Sequence, residues 1–215
     1  KGKERKRMQI VKKLIKYNHS GINKPVYIVI HETDNTDIGA DAERHYKYFN
    51  GGDRGASAHY VVDDKQVIQL VEHNTQSWHN GKKYVSNPAM PQCNNSNSIG
   101  IEICINQDGD YSKAVGNAVE LTRKLMKELN IPADRVIRHY DSCGKQCPAK
   151  MLKDRKIWDD FKKAIQESKI EVPAWQVQAT KSMCDRFKLD EEYWLARINK
   201  PITVGEMMGI LNKVL

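Results

Sequence analysis

Three side chains stand out by type and position. His31 follows the apolar run Val26-Tyr27-Ile28-Val29-Ile30, and His139 closes a second run, Arg135-Val136-Ile137-Arg138. Cys147 comes eight residues later, in Lys145-Gln146-Cys147-Pro148. Side chains at the C-terminal ends of strands in an α/β sheet project into the cleft where ligands bind. Two imidazoles and a thiolate are borderline-soft ligands that suit zinc, with a fourth position open to water. Either histidine alone reads equally well as a hydrogen-bonded structural residue, and the metal reading comes from the combination. The chain has five cysteines, too few and of the wrong parity for a disulfide scaffold, which favours a reduced compartment or a metal site. Cys93, Cys104 and Cys184 read as plain buried thiols. Cys143, four residues before Cys147, leaves open a disulfide or a two-cysteine metal site, either of which would compete for the third ligand.

The elements that must position these residues alternate along the chain. The continuous β-branched and aromatic run before His31 has the pattern of a strand buried on both faces. Residues 40–49 read as a helix. Residues 57–62 and 66–71 read as strands around the turn-forming Asp63-Asp64-Lys65. Residues 82–98, rich in Asn, Pro and Ser, read as a long loop. Ile99-Gly100-Ile101-Glu102-Ile103-Cys104-Ile105 is a second buried strand, and residues 112–129 carry apolar residues at helical spacing as far as Pro132. A short strand at 135–139 and an amphipathic helix at 154–168 complete an α/β domain, expected as a central mixed sheet flanked by helices. Residues 1–19 read as a basic arm and lead-in, 20–168 as the main domain, and 169–215 as a small helical segment. The 215 residues carry a net charge of +8, and 29% are charged. That balance excludes disorder throughout. No apolar run reaches the roughly 20 residues that would span a bilayer, and no secretory signal is visible.

Five motifs then occur in a fixed order: Ile28-Val29-Ile30-His31-Glu32-Thr33, Ala58-His59-Tyr60-Val61-Val62, Ser77-Trp78-His79, Ile99 to Cys104, and Arg138-His139 with Lys145-Gln146-Cys147-Pro148. Together they resemble the zinc-dependent N-acetylmuramoyl-L-alanine amidases related to the peptidoglycan recognition proteins. The likeness is greatest to phage endolysins and autolysins of Gram-positive bacteria. The resemblance implies that His31, His139 and Cys147 hold one zinc ion, that Glu102 is a catalytic glutamate and that Lys145 is a catalytic lysine. Another branch of the family uses a tyrosine beside the histidine of the second strand. Here that neighbour is Ala58, which shifts the acid/base role to Glu102. The chemistry is coherent: zinc lowers the pKa of water to about 7, a carboxylate shuttles its proton, and a lysine meets the developing oxyanion. Glu102 also has a reading as a buried structural carboxylate paired to a base, and Lys145 as an ordinary surface lysine.

The resemblance further implies that peptidoglycan is cut between N-acetylmuramic acid and L-alanine, with a non-catalytic wall-binding module of the same fold as the alternative. Trp78, His79 and His59 are expected at the substrate, although Trp78 also suits a core. His45 and His19 read as surface residues. The tail resembles helical appendages of clostridial-type wall hydrolases, as a wall-binding element or a brace. Lys1, Lys3, Arg5, Lys6 and Arg7 make a basic arm suited to an anionic wall or membrane surface. The arm lacks the interleaved aromatics of a nucleic-acid binder, so no nucleic acid is expected. The localisation expected is that of a protein made in a host cytoplasm and released through a holin pore to act on the wall.

Overall fold

The computed structural model describes residues 10–167, 174–198 and 202–214; the basic arm expected at residues 1–7 lies outside them. The chain divides into two compact units, residues 1–167 and 168–215.

Among the described residues, the first unit is built on β1 (Ile10–Lys12), β3 (Tyr27–Glu32), β4 (Tyr60–Val62), β5 (Val67–Gln69), β7 (Ser98–Ile103) and β8 (Val136–Arg138). These form one sheet in the order β1-β5-β4-β7-β3-β8. β3 runs parallel to both β7 and β8, β4 runs parallel to β7, and the β4–β5 hairpin is antiparallel, so the sheet is mixed. A small pair, β2 (His19–Ile22) with β6 (Thr75–Ser77), lies apart. Helices α1 (Ala42–Asn50), α2 (Tyr111–Leu129), α3 (His139–Cys143), α4 (Ala149–Lys153) and α5 (Arg155–Gln166) complete the unit.

Strand alternation sorts the side chains between two faces. Ile28 and Ile30 of β3 and Ile99, Ile101 and Ile103 of β7 are fully buried with Ala118, Leu121 and Leu125 of α2 and Phe161 of α5. Tyr27 and Val29 of β3 pack with Ile137 of β8 and Cys93 on the opposite face. Val61 and Ile68 of the hairpin pack there too, against Ala42 and Phe49 of α1. Full burial of an aliphatic side chain contributes about 1.5–3 kcal/mol, so these clusters supply most of the unit's stability.

Local signals set the helix ends. Asp41 caps α1 and Asp110 caps α2, each accepting from a backbone N–H three residues on. Asn130 ends α2 in the left-handed conformation that asparagine tolerates, before Pro132 is reached. Asp63 serves two elements: its Oδ1 accepts from the N–H groups of Lys65 and Gln66 in the hairpin turn, and its Oδ2 accepts from the Ala42 N–H at the start of α1.

Three expectations are corrected here. Residues 10–19 are not a lead-in outside the domain, because Ile10 and Val11 pair with Val67 and Ile68 and Ile15 is buried. His139 does not close a strand: Asp141 accepts from the Arg138 backbone N–H, starting α3 at His139. His45 is buried rather than on the surface, with Nδ1 2.8 Å from the Asp41 carbonyl.

The second unit comprises α6 (Ala174–Phe187), α7 (Glu191–Leu195) and α8 (Val204–Val214). Glu206 ties it together, accepting from Tyr193, Thr203 and Arg197.

Candidate metal centre and active site

The register of the parallel sheet builds the centre. His31 and Glu102 are direct partners across β3 and β7, and β8, on the other side of β3, delivers His139 as the residue after its last. On β7 the face shared with His31 is occupied in turn by Ser98, Gly100 and Glu102, set by the alternation that turns Ile99 and Ile101 to the other side. Cys147 is brought back by a tight loop: Gly144 ends α3 with positive φ, the Cys147 N–H donates to the Lys145 carbonyl, and the Tyr140 N–H donates to the Cys147 carbonyl.

One ligand atom from each of His31, His139 and Cys147 lies within 4.8 Å of the other two, and all three residues are buried. Cys147 Sγ is 3.8 Å from His31 Nδ1. The His31 and His139 rings are 4.3 Å apart. His139 Nδ1 and Glu102 Oε2 are buried without a hydrogen-bond partner. Orphaned buried polar atoms are rare and ask for a ligand. Burial holds the His31 ring well below the ordinary histidine pKa, with His139, His79 and Lys145 adding to the depression. It lowers His139 to about 4, helped by Lys145 and Lys83. Both rings are therefore neutral at pH 7 and carry a free lone pair. Burial pushes the Cys147 thiol up, so a cation is needed to hold it as thiolate. A donor set of two neutral imidazoles and a thiol that needs a cation fits a borderline-soft divalent ion.

Beside this cluster opens a cleft of about 540 Å³ whose lining includes Thr33, Arg44, Tyr48, Phe49, Glu102 and Lys145. Glu102 Oε1 is 3.9 Å from His31 Nδ1. Burial raises the Glu102 carboxyl to about 8, with Lys145 pulling the other way. Lys145 is exposed at the cleft. The cluster and both expected acid/base and oxyanion groups thus converge on one place.

The expected substrate residues do not. His59 is fully buried: its Nδ1 meets Ser77 Oγ and the Gly100 N–H, and its Nε2 meets the Thr75 carbonyl. It has no face to offer a substrate. His79 is also buried, with Nδ1 3.0 Å from His31 Nε2, so it turns to His31 rather than to the cleft. Trp78 is half-buried and is not part of the cleft wall, its backbone being paired with Ser57. The aromatic wall comes instead from Tyr48 and Phe49 of α1. Sequence reading passed over these, although Arg44 and Tyr48, four apart on one helix face, were a usable signal.

Cys143 stays a free thiol, donating to the His139 carbonyl, and makes no bond to Cys147. Glu32, beside His31, is a structural carboxylate: it accepts from the Tyr111 hydroxyl and from the Lys150 N–H at 2.8 Å, fastening α2 and α4 to β3.

Residues 22–150 match the sequence profile of N-acetylmuramoyl-L-alanine amidase. The chain belongs to that family. The amidase CwlH of Bacillus subtilis strain 168 is 42% identical over 144 residues, covering 67% of this chain and 54% of the relative. The amidase XlyA of the same strain is 43% identical over 141 residues, covering 66% and 44%. The chain thus spans about half the length of the curated amidases it matches. Among solved structures, the catalytic domain of XlyA superposes with a TM-score of 0.64 at 39% identity, covering 74% of this chain and 99% of that domain. PlyL gives 0.65 at 33% identity, covering 76% and 100%. The mixed sheet with flanking helices is therefore the amidase fold.

Proposed function

We propose that this chain is a zinc-dependent hydrolase that cuts peptidoglycan at the amide bond between the lactyl group of N-acetylmuramic acid and L-alanine. The observation that carries this reading is the convergence of His31, His139 and Cys147 beside Glu102 and Lys145 at one cleft. His31, His139 and Cys147 would hold the ion. When bound, it supplies Lewis acidity toward the scissile carbonyl and acidifies water.

The chain's own residues do the rest. Glu102 accepts the proton of the attacking water and returns it to the leaving alanine nitrogen. A carboxyl lifted toward neutral pH can serve in both directions. Lys145 brings a positive charge to the oxygen where negative charge develops. Tyr48, with the edge of Phe49 beside it, offers apolar surface to the lactyl and sugar groups. The place of action is the bacterial wall, following manufacture in a host cytoplasm and release through a holin pore. The residue 1–7 arm would draw the protein to that anionic surface.

Mass spectrometry of digested peptidoglycan tests the reaction. New N-terminal alanine with intact glycan is the expected product. New reducing ends, or binding without any cleavage, would overturn it. Chelation should abolish lysis and added zinc restore it, and undiminished activity of metal-free protein would remove zinc from the mechanism.

A further inference from the structure

His79 does not line the cleft and has no part in the reaction above, yet it is buried and hydrogen-bonded at both ring nitrogens. Its Nε2 lies 3.2 Å from Ser98 Oγ, and Ser98 Oγ lies 2.5 Å from the Asn94 carbonyl. A hydroxyl has one proton. The short contact to a carbonyl, which can only accept, claims it, so Ser98 faces His79 as an acceptor. His79 must then carry its proton on Nε2. A neutral imidazole has one N–H, which leaves His79 Nδ1 as an acceptor. That nitrogen lies 3.0 Å from His31 Nε2, so His31 donates there and its own proton is fixed on Nε2. His31 Nδ1 is left with a bare lone pair facing Cys147 Sγ.

The opposite polarity fails at both ends. It would leave two acceptors, Ser98 Oγ and the Asn94 carbonyl, 2.5 Å apart with no proton between them. It would also put a proton on His31 Nδ1, where the partners are a weak sulfur acceptor at 3.8 Å and a Glu102 oxygen at 3.9 Å, beyond hydrogen-bond reach. The backbone is shaped for the arrangement. A Cβ on Gly100 would come within 2.6 Å of His79 Cγ, so the missing side chain is the space that the ring fills. The two rings meet edge-on at 84°.

We propose that His79 is a positioning residue: set by Ser98, it holds His31 as the Nε2–H tautomer and so reserves Nδ1 for the metal. The proposal rests on the metal reading of the His31, His139 and Cys147 cluster.

Long-range ¹H–¹⁵N spectra of the imidazoles in the full chain at pH 7.5, without and with zinc, test it directly. Both rings should be Nε2–H without zinc. On zinc addition the His31 Nδ1 signal should move and the His79 tautomer stay. Zinc affinity, read by competition with a chromophoric chelator, should fall about 10–100-fold in His79→Leu. His79→Asn, whose Oδ1 keeps an acceptor near the Nδ1 position, should recover most of that loss. If His79→Leu fails to fold, Ser98→Ala serves, because it should release a mixture of His31 tautomers. An Nδ1–H tautomer on His31 without zinc, or equal affinity losses in the Leu and Asn variants, would overturn the proposal. Expected tautomers in a protein that takes up no zinc would instead sink the metal reading and leave His79's control of the His31 proton standing.

Discussion

Glu102, half-buried on β7, and His59, buried just ahead of β4, are both ionisable side chains held largely away from water, and they face opposite fates. Glu102 Oε2 is left unpartnered beside the His31, His139 and Cys147 cluster, whereas both nitrogens of His59 are used by the protein itself. Glu102→Gln should therefore fold and bind zinc while losing about 10²–10⁴ in turnover. Lys145→Ala should lose about 10²–10³ for want of oxyanion stabilisation. Zinc content and turnover measured on the same samples check both, and a Glu102→Gln protein that loses its zinc would return Glu102 to a structural role. His59 gives a pH prediction. Burial lowers it to about 3, against an ordinary value near 6.5. Below pH 6.5 the unfolded chain takes up a proton that the folded chain refuses. Stability is thus fully present above 6.5 and is lost as pH falls toward 3, by up to about 1.4 kcal/mol per pH unit. Urea unfolding at pH 7 and pH 5 should show this loss, and His59→Gln should reduce it; equal pH slopes would sink the idea. The cluster of His31, His139 and Cys147 was legible in the sequence because candidate ligands are picked out by residue type. The tasks of His59 and His79 were not, because a histidine's task depends on what its two nitrogens meet, and those partners (Ser77, Thr75, Ser98, His31) come from distant segments.

At the level of elements, the Ser98, Gly100, Glu102 face of β7 is where packing and chemistry meet. Gly100→Ala should cost about 1–3 kcal/mol by overpacking, and should weaken zinc binding because the displaced ring is His79. Gly116, inside α2 with open space where a Cβ would stand, is the control: Gly116→Ala should stabilise by about 0.4–1 kcal/mol. Denaturant midpoints of the two variants should move in opposite directions, and a neutral Gly100→Ala would show that the ring relocates freely. The long elements β3, β7, α2 and α5 were readable because each carries its own apolar period. β1, β2 and β6 were not. β6 is Thr-Gln-Ser, and nothing in that triplet signals a strand until β2 pairs with it. The turn from β8 into α3 at His139 was hidden for a similar reason, since it depends on Asp141 reaching back to Arg138.

On the scale of the whole chain, the clusters that bury the sheet faces lie within the first unit. A chain ending at Glu167 should therefore remain soluble, folded and able to bind zinc. If the second unit serves wall attachment, the shortened chain should lose more activity on intact walls than on a soluble muropeptide; an insoluble product would mark that unit as a brace. Deleting residues 1–7 should weaken wall binding at low salt by about 1 kcal/mol or less per basic residue. The difference should fade at high salt, where charges are screened within a few ångströms, while hydrolysis of the soluble fragment stays unchanged. Equal wall binding at low ionic strength would leave the arm without a role. Among the described residues no helix is long and apolar enough to cross a membrane. The parallel pairing of β3 with β7 and β8 has one more consequence, in the order of assembly. Before the strands align, His139, Cys143 and Cys147 are near neighbours in the chain, whereas His31 joins His139 and Cys147 through the alignment of β3 with β8. The proposed ion would therefore meet its full ligand set after the sheet has formed, unlike the ion of a zinc finger, which folds its domain. On the proposed zinc reading, the complete ligand set would exist in the folded frame alone, and newly made protein would be a folded stock unable to cut until zinc reached it.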